Sequence, residues 1–282
     1  MRIAPPRRMD PAEFDRLIAR AENPRLVPGI YNYCDGRCPR CPFTDRCLTY
    51  LDNQETIGAA TSSQENGSPA ERVGATLRRT LRVLAEIGRR KGLDLAAFSE
   101  NEDTQAAKIE AAFKRHYDDP IVVRSREYAH LAWRIAKALG PLVVARGNPQ
   151  VVDAVETIEW FSTFISSKVY RAVAGRAECW HISHDPDVQP DHDGSAKIAL
   201  IGIAESRDAW RVLMEHGKAT ADGVPAQAVQ MLDALDAGVR EQFPGATAFI
   251  RPGFDEPDVA AGAPATLPPS ARRPEKDSRG AE

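Results

Sequence analysis

Four cysteines fall inside the run CDGRCPRCPFTDRC, spaced Cys34-x3-Cys38-x2-Cys41-x5-Cys47. Thiolates are strong ligands for soft and borderline metals, and four of them complete a metal's tetrahedral shell or hold the irons of a cluster. On one short segment they reach a single centre only if the backbone wraps around it, and Gly36, Pro39 and Pro42 are residues suited to such turns. Zinc sites usually join two cysteine knuckles through a longer spacer, and no second pair follows here. The compact spacing therefore points to a [4Fe-4S] cluster held by Cys34, Cys38, Cys41 and Cys47, with zinc on the same four thiolates as the alternative. Arg37, Arg40 and Arg46 are placed to offset the negative charge of either centre, partly balanced by Asp35 and Asp45, unless they are simply solvated. Tyr31, Tyr33 and Phe43 are placed to shield the centre from water or to anchor the loop on a core.

Three weaker constellations compete. Glu127-x2-His130 has the spacing of a di-iron helical bundle, with Glu156 and Glu159 as its partners, which would make the chain an oxidase. The second Glu-x2-His that such a site needs is missing. Moreover, Ile121, Tyr128, Leu131, Ile135 and Leu139 define an apolar stripe from which Glu127 and His130 point away. Cys179, His181, His184, Asp185, Asp187 and His192 have ligand chemistry but no ligand spacing. Lys168 sits near the edge of a largely apolar segment and is a candidate buried catalytic amine, although such a lysine more often extends its head to water. The sequence has no phosphate loop, nucleophile elbow or dinucleotide fingerprint, so it names no reaction or substrate.

The elements that must position these residues read as helices. Apolar side chains recur at three and four, which predicts helices near 70–91, 103–117, 120–139, 150–174, 195–216 and 224–242, with a shorter amphipathic stretch from Pro11 to Ala21. The segment 150–174 carries Val151, Val155, Ile158, Ser162, Ile165, Val169 and Val173 on one side and Trp160 and Phe164 on another, as a central helix would. The apolar run Ile198–Ile203 has the length of a buried strand, but nothing is available for it to pair with. Residues 54–68 and 181–193 read as loops, and Asp193 or Ser195 is placed to cap the helix that follows. The expected fold is all-α: a multi-helix bundle with the metal-binding four-cysteine loop near the N-terminus. Its expected divisions are an N-terminal arm over 1–27, a helical domain over 28–255 that includes the metal loop 31–50, and a disordered tail over 256–282.

With 43% apolar residues among 282, the chain can supply a substantial core. Its 37 basic and 40 acidic side chains leave a net charge of −3, so no global field favours nucleic acid or a membrane, and the expected partner is an unknown protein or small molecule. Prolines and charges at the N-terminus stand where a signal peptide needs an apolar run, so the expected location is cytoplasmic. In a reducing compartment, clustered cysteines signal metal or redox chemistry rather than disulfides.

Three resemblances attach to these residues. Cys38-x2-Cys41-x5-Cys47, with Pro42-Phe43, resembles the cluster-binding runs of certain CRISPR-associated nucleases and of auxiliary-cluster domains. Cys34-x3-Cys38-x2-Cys41 is similar to the radical S-adenosylmethionine pattern. That pattern implies alternating strands and helices and an open iron, which Cys47 is placed to fill here. The phrases PGIYNYCD, CPRCPFTDRC, DGSAKIALIGI and RPGFDE, in this order between about Pro28 and Asp255, resemble an uncharacterised family of bacterial helical proteins with no assigned activity. At Gly36-Arg37 the chain departs from the Arg-Trp expected of that family, which implies the loss of a packing contact beside the site.

Overall fold

The structure is a computed structural model that describes residues 8–62, 68–93, 102–178, 188–216 and 223–256. Among these residues the regular structure is helical, with no strand. The helices are α1 (Pro11–Ala21), α2 (Leu48–Ser62), α3 (Pro69–Arg90), α4 (Glu102–Tyr117), α5 (Pro120–Arg146), α6 (Pro149–Glu178), α7 (Asp191–His216) and α8 (Val224–Gln242). Local chemistry sets several of the boundaries. Asp119 caps α5 by accepting the Ile121 amide at 3.0 Å ahead of Pro120, and Gly147 closes the helix at φ +70°. Ser68 and Glu71 form a reciprocal capping box at the start of α3.

The long helices α5 to α8 enclose the core. α6 packs along both α5 and α7, while α8 closes against α7 and α5. Phe161 and Ile165 of α6, both fully buried, pack against Gly202 of α7. Gly202 permits this approach, since a Cβ there would lie 2.9 Å from the Phe161 ring. Within this core the Tyr128 hydroxyl bonds Ser206 and accepts the Trp210 indole N–H at 3.1 Å, whereas the buried Ser195 hydroxyl has no partner among the described residues. Burial pushes the Tyr128 phenol up to about 12, so it stays neutral.

Several expectations need correction. Residues 54–62, read as loop, are the second half of α2; their turn-rich composition begins only where the helix ends, and its first half is held by Arg20, which pairs with Asp52 at 2.9 Å and Glu55 at 2.5 Å. α5 continues past Pro141 to Arg146 because Leu139 and Val143 stay buried on either side of the proline, and that packing offsets the lost backbone bond. The run Ile198–Ile203 is helical. α7 starts at Asp191, not at Ser195. Its acidic first turn suits the positive end of the helix dipole, and Asp191 is fixed by Tyr33 (2.7 Å) and Arg171 (2.8 Å). Ser195 is consequently inside the helix and fully buried. The expected loop at 181–187 and the expected tail beyond Glu256 lie outside the described residues.

Candidate metal centre

Residues 28–47 contain three short 3-10 turns, Ile30–Tyr33, Cys38–Arg40 and Thr44–Arg46. Three of the four cysteines follow directly after a turn in extended backbone: Cys34, Cys41 and Cys47. The fourth, Cys38, opens the second turn. Each turn reverses the chain and the extended residue after it changes direction again, which is how fourteen residues wrap one space. Gly36 makes the tightest reversal at φ +73°, and Pro39 and Pro42 lie in turns, as the sequence reading expected. The neck of the loop is tied shut where the Val27 amide donates to the Arg46 carbonyl at 3.0 Å.

All four cysteines line one pocket that is partly open to solvent. The same pocket is walled by Ile30, Tyr31, Tyr50 and Phe254, with Arg37 beside it. The four thiols are free and half-buried. Burial pushes the Cys34 thiol up, with a smaller rise from Asp35; it also pushes the Cys38 thiol up, and the neighbouring Cys41 and Cys47 add to that rise. Negative charge on one sulfur therefore disfavours it on the next, and a cationic centre reverses that preference by replacing the protons. The Phe43 amide donates to the Cys41 sulfur at 3.4 Å, the kind of contact that supports a thiolate ligand. Donor type, number and enclosure fit a thiolate-bound centre. Among the described residues, however, no group of three or more His, Cys, Asp or Glu side chains is arranged to hold a single metal ion.

The loop is docked by polar contacts to α6. The Trp160 indole donates to the Asp35 carbonyl at 2.9 Å, Arg37 donates to Thr157 Oγ1 at 3.0 Å, Arg40 pairs with Asp153, and Lys168 Nζ donates to the Asn32 carbonyl at 3.0 Å. Two expectations change here. The guanidinium groups of Arg37 and Arg40 bond to α6, and Arg46 Nε donates to the Arg25 carbonyl at 3.3 Å; of the three arginines only Arg37 lines the pocket. The Lys168 head is turned onto the loop instead of out to water, and burial lowers its pKa. The Trp160 ring lies 3.1 Å from where a Gly36 Cβ would stand. An aromatic from α6 thus packs against the loop at Gly36.

The fourth wall comes from the far end of the chain. Phe254 packs edge-on to Phe43 with ring centres 5.0 Å apart. Its segment is clamped by Asp255, which takes Lys197 of α7 at 2.8 Å and Arg251 at 2.8 Å. Burial alone would raise the Asp255 carboxyl, but the hydrogen bonds from Arg251 and Lys197 outweigh it and hold it well below the usual carboxylate range. Gly253, at φ +77°, leaves only 3.1 Å between a would-be Cβ and Ile30. Gly194 lies so close to Tyr33 and Phe249 that a Cβ would stand 2.6 Å from the Phe249 ring. Three of the four sequence phrases therefore line one pocket, and the fourth, DGSAKIALIGI, braces it from behind through Gly194 and Lys197. Tyr50 and Phe254 were missed as wall residues because they lie outside the cysteine run; the RPGFDE phrase was the available signal for Phe254.

The other constellations stay dispersed. Glu127, His130 and Glu156 are exposed, and Glu159 pairs with Lys137 at 2.5 Å. The described interior of the α5–α8 bundle is apolar apart from the paired groups above and a few hydroxyls. His192 is near the start of α7, 3.9 Å from Asp193; Cys179, His181, His184, Asp185 and Asp187 lie outside the described residues. No described helix is long and apolar enough to cross a membrane. Compared with models of protein families, with curated proteins and with solved structures, the chain matches none.

Proposed function

We propose that this is a metal-binding helical protein whose Cys34, Cys38, Cys41 and Cys47 hold a [4Fe-4S] cluster with a redox, sensing or structural role. The carrying observation is that four free, half-buried thiols of one short loop line one pocket. Zinc draws each sulfur to about 2.3 Å from a single point. A cluster takes its thiolates at separate irons, and the compact four-cysteine spacing, with no distant second pair, favours it. When bound, such a cluster would supply one-electron redox capacity or a cross-link. The chain's part is to exclude water with Ile30, Tyr31, Tyr50 and Phe254, to donate an amide to Cys41, and to hold the loop on α6 through Trp160, Arg37 and Lys168.

Anaerobic purification tests this directly. A brown protein with visible charge-transfer absorption, iron and inorganic sulfide in similar amounts, and loss of colour on oxidation is expected. Each Cys→Ala change at the four positions should reduce iron retention, whereas H130A should not. Colourless protein carrying one zinc would replace this reading with a zinc-stapled interaction module. Full iron occupancy in C47A together with S-adenosylmethionine binding would restore a three-cysteine radical enzyme. Iron that persists when all four cysteines are replaced would move the site into the bundle as an oxidase.

A further inference from the structure

We propose that α3 is a membrane-surface helix that binds anionic lipid headgroups peripherally. The chain's net charge of −3 is an average that hides this segment. Over Pro69–Arg90 there are six arginines and two glutamates, a local net of +4. Val73, Leu77, Leu81 and Leu84 recur at four and three, so they form one stripe about 16 Å long at 1.5 Å per residue. These side chains are 60%, 59%, 48% and 52% exposed. Arg78, Arg79 and Arg82 fall on the other side at about 100° per residue.

A helix with this division has two common outlets, a core or an interface. Among the described residues no other helix packs along α3. Its described side-chain ties to the rest of the molecule are at its C-terminal end, where Arg90 meets Asp15 at 2.8 Å and lies 4.3 Å over the Phe14 ring. The helix is already formed by its own capping box, so docking on a surface would carry no folding cost. The apolar stripe suits the boundary between headgroups and acyl chains, and the arginine-rich face suits the negative potential of anionic lipid. Nucleic acid would use the arginines but leave the leucines in water. A second copy of the chain would use the leucines but gain nothing from the excess positive charge.

The probe is co-sedimentation of the full chain with phosphatidylcholine vesicles, with and without phosphatidylglycerol, at low and high salt. Pelleting is expected with phosphatidylglycerol, more than about tenfold weaker with phosphatidylcholine alone, and reduced by salt. L77E/L81E should abolish it, and R78Q/R79Q/R82Q, which leaves the stripe intact, should abolish its salt sensitivity. Unchanged far-ultraviolet ellipticity in both variants shows that α3 is still folded. No pelleting at low salt, pelleting that neither variant alters, or a dimer that L77E/L81E dissolves would overturn the proposal. The last result would place a second copy on the stripe.

Discussion

The α5–α8 bundle and the cysteine loop lie side by side on α6, and opposite forces hold them. In the bundle, large apolar side chains such as Phe161, Ile165, Trp210 and Leu232 are excluded from water, and each such burial is worth roughly 1.5–3 kcal/mol. In the loop the cysteines are only half-buried, and the ties to α6 are hydrogen bonds worth roughly 1 kcal/mol each. The exposed Arg40–Asp153 pair adds little. One region is stable because of what it buries. The other is held on α6 mainly by polar ties, and the proposed cluster would add to its rigidity.

The largest break in this comparison is expected from the bundle. Phe161→Ala should cost about 3–5 kcal/mol, because the cavity lies where α6 and α7 close on Gly202, and denaturant unfolding measures it. A loss below 1 kcal/mol would mean that the interface re-closes. Gly194→Val strikes the joint between the two regions. It drives a side chain into Tyr33 and Phe249, so a cost of about 1–3 kcal/mol is expected together with impaired iron retention. Retention at the wild-type level would show that the Tyr33 contact does not shape the pocket.

Changes inside the loop should be thermodynamically smaller and chemically larger. Cys38→Ala should shift the unfolding of metal-free protein by less than about 1 kcal/mol while lowering iron content, and hydrogen exchange of the metal-free protein should be fastest over residues 28–50. Uniform protection across loop and bundle would erase the distinction. Asp255 provides the finest test. Its folded pKa is lowered, so its contribution is complete above the ordinary carboxylate value of about 3.9 and is lost as pH falls below that. Acid should therefore loosen the Phe254 wall first, and Asp255→Asn should remove that part of the pH dependence. A pH profile unchanged by the substitution would mean that Arg251 and Lys197 do not hold the wall through this carboxylate.

Helical periodicity, Pro at first turns and the cysteine spacing are properties of neighbouring residues, so the chain alone determined the all-helical fold, most helix limits and the four candidate ligands. It also indicated the outward direction of Glu127 and His130. What it could not decide were events set by residues far away. The start of α7 at Asp191 depends on Tyr33 and Arg171, and the survival of α5 past Pro141 depends on the core that holds Leu139 and Val143. Lys168 turns inward because the Asn32 carbonyl happens to meet it. Of the pocket walls, Tyr50 follows Cys47 closely in the chain, but Phe254, from beyond α8, is brought to the cysteines only by the tertiary fold. Local pattern fixes backbone shape because its forces act within a few residues; side-chain surroundings come from packing, which joins positions more than two hundred residues apart.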